Sequence, residues 1–178
     1  MKKEIQVFDY ANEVLKALRT GVLLTTKESS KVNTMTISWG TIGIEWGIPI
    51  FTTFVREGRY TRRLLDENPE FTVNIPFGEF DKNILSYCGM KSGRQYDKIK
   101  DLSLNLVDGD CISVPAIKEL PLSLECKVVY VQKQEDKLIP SFIKEKHYPQ
   151  DVESSHYAAN RDFHIAYYAE IVKAYIIE

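Results

Sequence analysis

The sequence predicts a mainly β protein, a barrel with a few peripheral helices. Three observations carry this. Thr34–Trp39 alternates strictly, with Met35, Ile37 and Trp39 on one face and Thr34, Thr36 and Ser38 on the other. Phe71, Val73 and Ile75 repeat the same period in Glu70–Ile75 before Pro76 stops it. Two long strand candidates, Leu120–Gln134 and His164–Ile177, take up about half of the C-terminal third. Many strands with few helices favour a closed sheet over a layered α/β fold.

The remaining elements follow in order. Residues 9–20 read as a helix, with Asp9 as N-cap, Val14, Leu15 and Leu18 as its apolar stripe, and Gly21 at the C-cap. Val22–Thr26 is a short β-branched strand and Ile50–Val55 another. Thr61–Glu67 reads as a short helix, and Asp81–Cys88 as one capped by Asp81 and ended at Gly89. The polar and aromatic stretch Ile139–Phe163 is too long for an ordinary turn and is expected to be a lid or a dimer arm.

The 178 residues fit one domain, expected to span 1–178. A net charge of −2 offers no electrostatic reason for a nucleic-acid or anionic-membrane partner. The basic start Met1-Lys2-Lys3 is followed by no apolar stretch, which argues against a signal peptide, and no run approaches the roughly 20 residues of a membrane helix. Cys88, Cys111 and Cys126 are odd in number and widely spaced, which suits reduced thiols and a cytoplasmic location. No cysteine or histidine spacing suggests a metal.

Three stretches could carry chemistry. In Asn33–Gly40, Thr34, Thr36 and Ser38 put hydroxyls about 7 Å apart on one strand face, where they or a free strand edge could bond a flat polar ligand. An ordinary half-exposed strand would look the same. In Phe54–Thr61, Arg56 and Arg59 bracket Gly58 and Thr61 opens a helix, an arrangement suited to phosphate. Arg62 and Arg63 add local positive charge; a solvated turn is the competing account. In Tyr87–Lys98, the Ser92-Gly93-Arg94 turn and Lys98 could reach an anionic or carbonyl-rich ligand, although a polar loop would read alike. Cys88 could be a redox thiol, although a buried inert cysteine is the commoner case. Any of His147, His156 and His164 could donate a proton near a cofactor, yet none has a pattern that assigns it. No glycine-rich fingerprint follows a strand, which argues against a Rossmann site.

Taken together, Asn33–Trp39, Val55–Thr61 leading into Phe71-x-Val73-Asn74-x-Pro76, and Cys88-Gly89-x-x-Ser92-Gly93-Arg94 with Lys98 resemble the flavin reductase-like, flavoredoxin-type family. The resemblance is best over Gly21–Lys98 and extends to Tyr167–Tyr175. It implies a homodimeric split β-barrel of Greek-key type that binds FMN near the subunit interface. Asn33, Met35, Thr36, Ser38 and Trp39 would line the isoalloxazine. Val55, Arg56, Arg59, Tyr60 and Thr61 would hold the ribityl phosphate, and Ser92, Arg94 and Lys98 would close the pocket. The implied activity is electron transfer from NAD(P)H or another donor through the flavin, with a carrier serving a redox-protein partner as the alternative. Gln95 departs from the pattern, because an acidic residue is commoner there.

Overall fold

The computed structural model describes residues 1–152 and 161–178. In chain order the elements are β1 (Lys2–Glu4), α1 (Ala11–Leu18), β2 (Val22–Glu28), β3 (Lys31–Ile37), β4 (Gly40–Glu45), β5 (Ile48–Arg56), α2 (Tyr60–Glu67), β6 (Glu70–Ile75), α3 (Lys82–Met90), α4 (Lys98–Asp101), β7 (Leu106–Val107), β8 (Ala116–Ile117), β9 (Leu122–Lys133), α5 (Ser141–His147) and β10 (His164–Ile177).

Antiparallel pairing runs in the order β3-β2-β6-β9-β10-β5-β4. β5 pairs with the first half of β10, and β1 takes over the same edge from Tyr175 to Ile177. Register shifts after Tyr168 and Ile171 mark irregularities that let the long β10 bend with the sheet. The two outer strands, β3 and β4, are consecutive in the chain and separated only by Ser38 and Trp39. They form no ladder with each other among the described residues. The sheet is therefore a barrel with an open seam, the split the family resemblance implies.

Alternation places one residue set inside. Val22, Leu24, Ile37, Phe51, Val55, Phe71, Val73, Ile75, Leu122, Leu124 and Tyr167 form one buried cluster with Val14 and Leu18 of α1. Burying such side chains contributes about 1.5–3 kcal/mol each. On the opposite face of β2, Leu23 packs with Ile84, Leu85 and Cys88 of α3. Beside it lies a fully buried polar chain. The Thr25 hydroxyl donates to Asn74 Oδ1 at 3.0 Å and lies 3.1 Å from Thr34 Oγ1, and Asn74 Nδ2 donates to Ser123 Oγ at 3.1 Å. A one-residue slip of any of these strands would leave buried groups unpaired, at about 1–3 kcal/mol each, so the chain locks register.

Several boundaries differ from the sequence reading. The first helix begins at Ala11, after a 3₁₀ turn at Val7–Tyr10, and Asp9 does not cap it. Gly21 does close that helix, at φ 124°, donating its N–H to Ala17 O at 2.8 Å. Asp81 caps α3 through Asn83 N–H, but the helix runs on through Gly89 to Met90. Gly89 faces β3 there, where a Cβ would lie in ordinary contact, 3.4 Å from Thr36 Cβ. β4 escaped the reading because its two glycines and mostly exposed residues give no clear alternation. The Ile139–Phe163 stretch is not all loop, since it contains α5. Residues 153–160, His156 among them, lie outside the described residues.

Candidate functional site

Among the described residues β3 pairs on one side only, and Asn33 and Met35–Ile37 of this strand, with Ser38 and Trp39 after it, line a cavity of about 650 Å³. Consecutive residues reach it because the ligand space wraps the strand edge and not one face. The expected ladder of three hydroxyls is not formed. Thr34 is turned away, fully buried against Thr25 Oγ1 and Leu24 O. Thr36 Oγ1 donates to Leu85 O and so fastens β3 to α3. Asn33 sits at the centre of the wall. Its Nδ2 donates to Thr61 Oγ1 at 3.0 Å, and its Oδ1 lies where a Cβ on Gly93 would approach to 2.0 Å.

The turn after β5 brings Arg56, Gly58 and Arg59 to the cavity, with Tyr60 and Thr61 at the start of α2. Val55, expected here, has its side chain fully buried in the barrel core, because the pleat sends it inward between Phe54 and Arg56. Arg56 is tied to the segment that precedes β10: it donates to Asp162 O at 2.6 Å and to His147 O at 2.9 Å, with its guanidinium 5.1 Å from the Tyr148 ring centre. Burial lowers the pKa of both Arg56 and Arg59, each opposed by nearby Asp162. Arg62 and Arg63 add nothing to the cavity, since they pair with Asp66 and Glu28 at 2.8 and 2.7 Å.

The third wall is the end of α3 and the loop after it. Ser92 Oγ accepts Arg94 N–H at 3.3 Å and holds the turn that presents Ser92, Arg94 and Tyr96. Lys98 is only 4% exposed, yet its Nζ has a single hydrogen-bond acceptor among the described residues, Cys88 O at 3.3 Å. Burial pulls its pKa down to about 8, Cys88 opposing this and Arg59 adding to it. Burial also pushes the Cys88 thiol up to about 11, which makes it a poor nucleophile.

The fourth wall pairs the expected Trp39 with His164, which the sequence left unassigned among three histidines. His164, at the start of β10 and opposite Arg56 in the ladder, lines the cavity with its ring 4.7 Å from Trp39. His147 meets the same indole edge-on at 5.2 Å, and Tyr148 Oη lies 2.8 Å from His164 Nδ1. Burial first, then Arg56, Arg59 and His147, lower the His164 pKa to about 3, so the ring is neutral. Its sequence signal was only its place at the head of the terminal strand.

Fold and cavity define a split-barrel protein with a cation-lined ligand site along its open seam. The chain belongs to the flavin reductase like domain family, whose model matches residues 16–178. An uncharacterized protein of Archaeoglobus fulgidus is 35% identical over 117 residues, covering 66% of this chain and 64% of its own. The matched stretch is thus under two thirds of that relative's length. A flavoredoxin from Methanosarcina acetivorans superposes with a TM-score of 0.63 at 26% identity, over 89% of this chain and 68% of its own. An FMN-binding protein from Thermus thermophilus does so with a TM-score of 0.62 at 19% identity, over 86% and 68%. Among the described residues no helix is long and apolar enough to cross a membrane.

Proposed function

We propose that the cavity binds FMN and that the protein is a flavin-dependent oxidoreductase, passing electrons from NAD(P)H or another donor to an acceptor. The observation that carries this is Lys98, a buried ammonium whose two remaining hydrogens have no acceptor among the described residues. A buried cation of this kind is costly unless an anionic or carbonyl-rich partner completes it. The donor set fits FMN: a free strand edge for the flat ring system, and Arg59 with the α2 N-terminus for the phosphate. The cavity volume lies within the ~300–1,000 Å³ usual for small-molecule sites.

When bound, the flavin supplies two-electron chemistry, and the protein orients it and tunes its charge. Lys98 favours negative charge at the ring's carbonyl side. Asn33 holds the β3 edge and the α2 start in one geometry. Arg56 fastens the segment beside Trp39 and His164 through Asp162 O and His147 O and so holds that wall in place. No residue of the chain is required as a general acid or base.

The assembly we propose is a homodimer. Trp46, at the tip of the β4–β5 hairpin, is 60% exposed and held at φ 52°, next to Ile44 and against Tyr130. Positive φ costs a bulky residue roughly 1–2 kcal/mol, which a buried contact with a second subunit would offset. The likeness to a flavoredoxin favours a second reading, an FMN electron carrier that serves a protein partner.

The test is direct. Purified protein should be yellow and release FMN on denaturation. With NADH or NADPH and excess free FMN in air, multiple turnovers support the reductase. Slow single reduction, with fast reduction by a low-potential redox protein, supports the carrier. A colourless protein with no affinity for FMN overturns both.

A further inference from the structure

A second hollow of about 510 Å³ lies beside the first, between the β2–β3 hairpin and the loop that leads into α4. Gly93, Arg94 and Lys98 border both spaces, so the partition between them is one loop thick. The second hollow is cationic. Lys31 Nζ and Arg94 Cζ lie 4.8 and 5.9 Å from the centre of the same Tyr60 ring. A third cation at that ring, Arg63, is neutralised by Glu28 at 2.7 Å. Lys31 and Arg94 form no ion pair among the described residues.

One acidic residue, Asp97, shares the wall with Lys31, Arg94 and Lys98, so the cations are in excess. The Asp97 carboxylate is occupied in accepting Lys100 N–H at 3.2 Å at the start of α4. The neighbouring wall residue is Gln95, a neutral amide that can donate to a phosphate oxygen. A dianion in this hollow would be attracted by Lys31, Arg94 and Lys98, which all border it.

We infer that this groove takes the 2′-phosphate of NADPH and gives the protein a preference for NADPH over NADH. The inference rests on the flavin reading of the first cavity. A dinucleotide that reaches the flavin must place its adenosine end outside a cavity the flavin already fills, and this groove adjoins it. A phosphate monoester carries about −1.5 to −2 charges where NADH has a neutral hydroxyl, so the cations act on the difference between the two donors.

The probes are 2′,5′-ADP and 5′-ADP, titrated calorimetrically into wild type and Lys31→Gln, with and without FMN. Lys31 lies outside the first cavity, and its side chain is exposed at the end of β3. We expect 2′,5′-ADP to bind at least tenfold tighter than 5′-ADP, and Lys31→Gln to remove most of that difference while FMN affinity is unchanged. In turnover, the variant should raise KM for NADPH about tenfold and leave KM for NADH alone. Equal binding of the two probes, or a preference that survives in Lys31→Gln, overturns the inference even if FMN binds normally. Loss of FAD affinity in place of 2′,5′-ADP affinity also overturns it, assigning the groove to a flavin dinucleotide. Tight 2′,5′-ADP binding by a protein that binds no FMN would sink the flavin reading and leave the groove assignment standing.

Discussion

Gly93 and Asn33 are packed so closely that a single added methyl would sit 2.0 Å from Asn33 Oδ1. The loop that separates the two hollows can rest on β3 only if position 93 has no side chain. Asn33 in turn holds Thr61, so three walls of the cavity meet at one amide. Gly93→Ala should push the loop outward and loosen the Asn33–Thr61 bond. FMN affinity, read by fluorescence quenching, should fall at least tenfold while the melting temperature drops by only a few degrees. Unchanged affinity would show that the loop relaxes without disturbing the ligand wall.

Arg59 tests the phosphate end. A charge-assisted bond contributes roughly 1.5–3 kcal/mol, so Arg59→Ala should weaken FMN binding by about 10- to 150-fold. Riboflavin, which lacks the phosphate, should bind wild type and variant alike. Equal losses for both flavins would move Arg59 away from the phosphate.

Lys98 should make binding pH-dependent. Its ammonium is the form an anionic ligand prefers, and in the free protein it titrates near pH 8. Affinity for FMN should therefore be steady below pH 7 and decline by up to about tenfold per unit above pH 8, with proton uptake on binding. Lys98→Met should bind more weakly at pH 7 and lose the decline. A wild-type affinity that is flat from pH 7 to 9 would remove Lys98 from contact with the ligand.

His164 should be felt in acid stability. Its pKa falls from an ordinary 6.5 to about 3 on folding, so the unfolded chain binds the extra proton between those values. Its contribution is fully present above pH 6.5 and is lost as pH falls toward 3, by up to roughly 1.4 kcal/mol per unit. Urea midpoints of wild type and His164→Gln should converge as pH is lowered from 7.5 to 4.5. Parallel curves would mean that the buried ring is protonated without cost.

The proposed dimer turns on the hairpin tip. Light scattering should give the mass of two chains at micromolar protein, and Trp46→Glu should give one. A wild-type monomer would leave the exposed Trp46, Ile44 and Tyr130 without that explanation.

Much of the strand framework was legible because side-chain period maps directly onto a two-sided sheet, as in Phe71, Val73 and Ile75. Arg59, Thr61, Arg94 and Lys98 were legible as chemistry near turns. Val55 was misassigned because a motif names neighbours while the pleat decides which of them faces the cavity. Thr34 was misread because a hydroxyl's partners lie on other strands, at Thr25 and Leu24, and no local pattern reports them. Arg56 bonding to His147 O and Asp162 O, and the pairing of His164 with Trp39, join segments roughly 90 to 125 residues apart. Contacts at that separation leave no trace in periodicity.

The unpaired edge of β3 also bears on how the chain avoids sticking to others. An exposed strand edge is a template for another chain, and proteins normally blunt it with charge, proline or a short length. Here the edge opens into a hollow roofed by the α2 turn, the 88–96 loop and the Trp39–His164 wall. An incoming strand cannot lie flat along it, whereas a compact flat molecule can. The opening that admits a small ligand thereby also works as a steric guard against edge-to-edge aggregation.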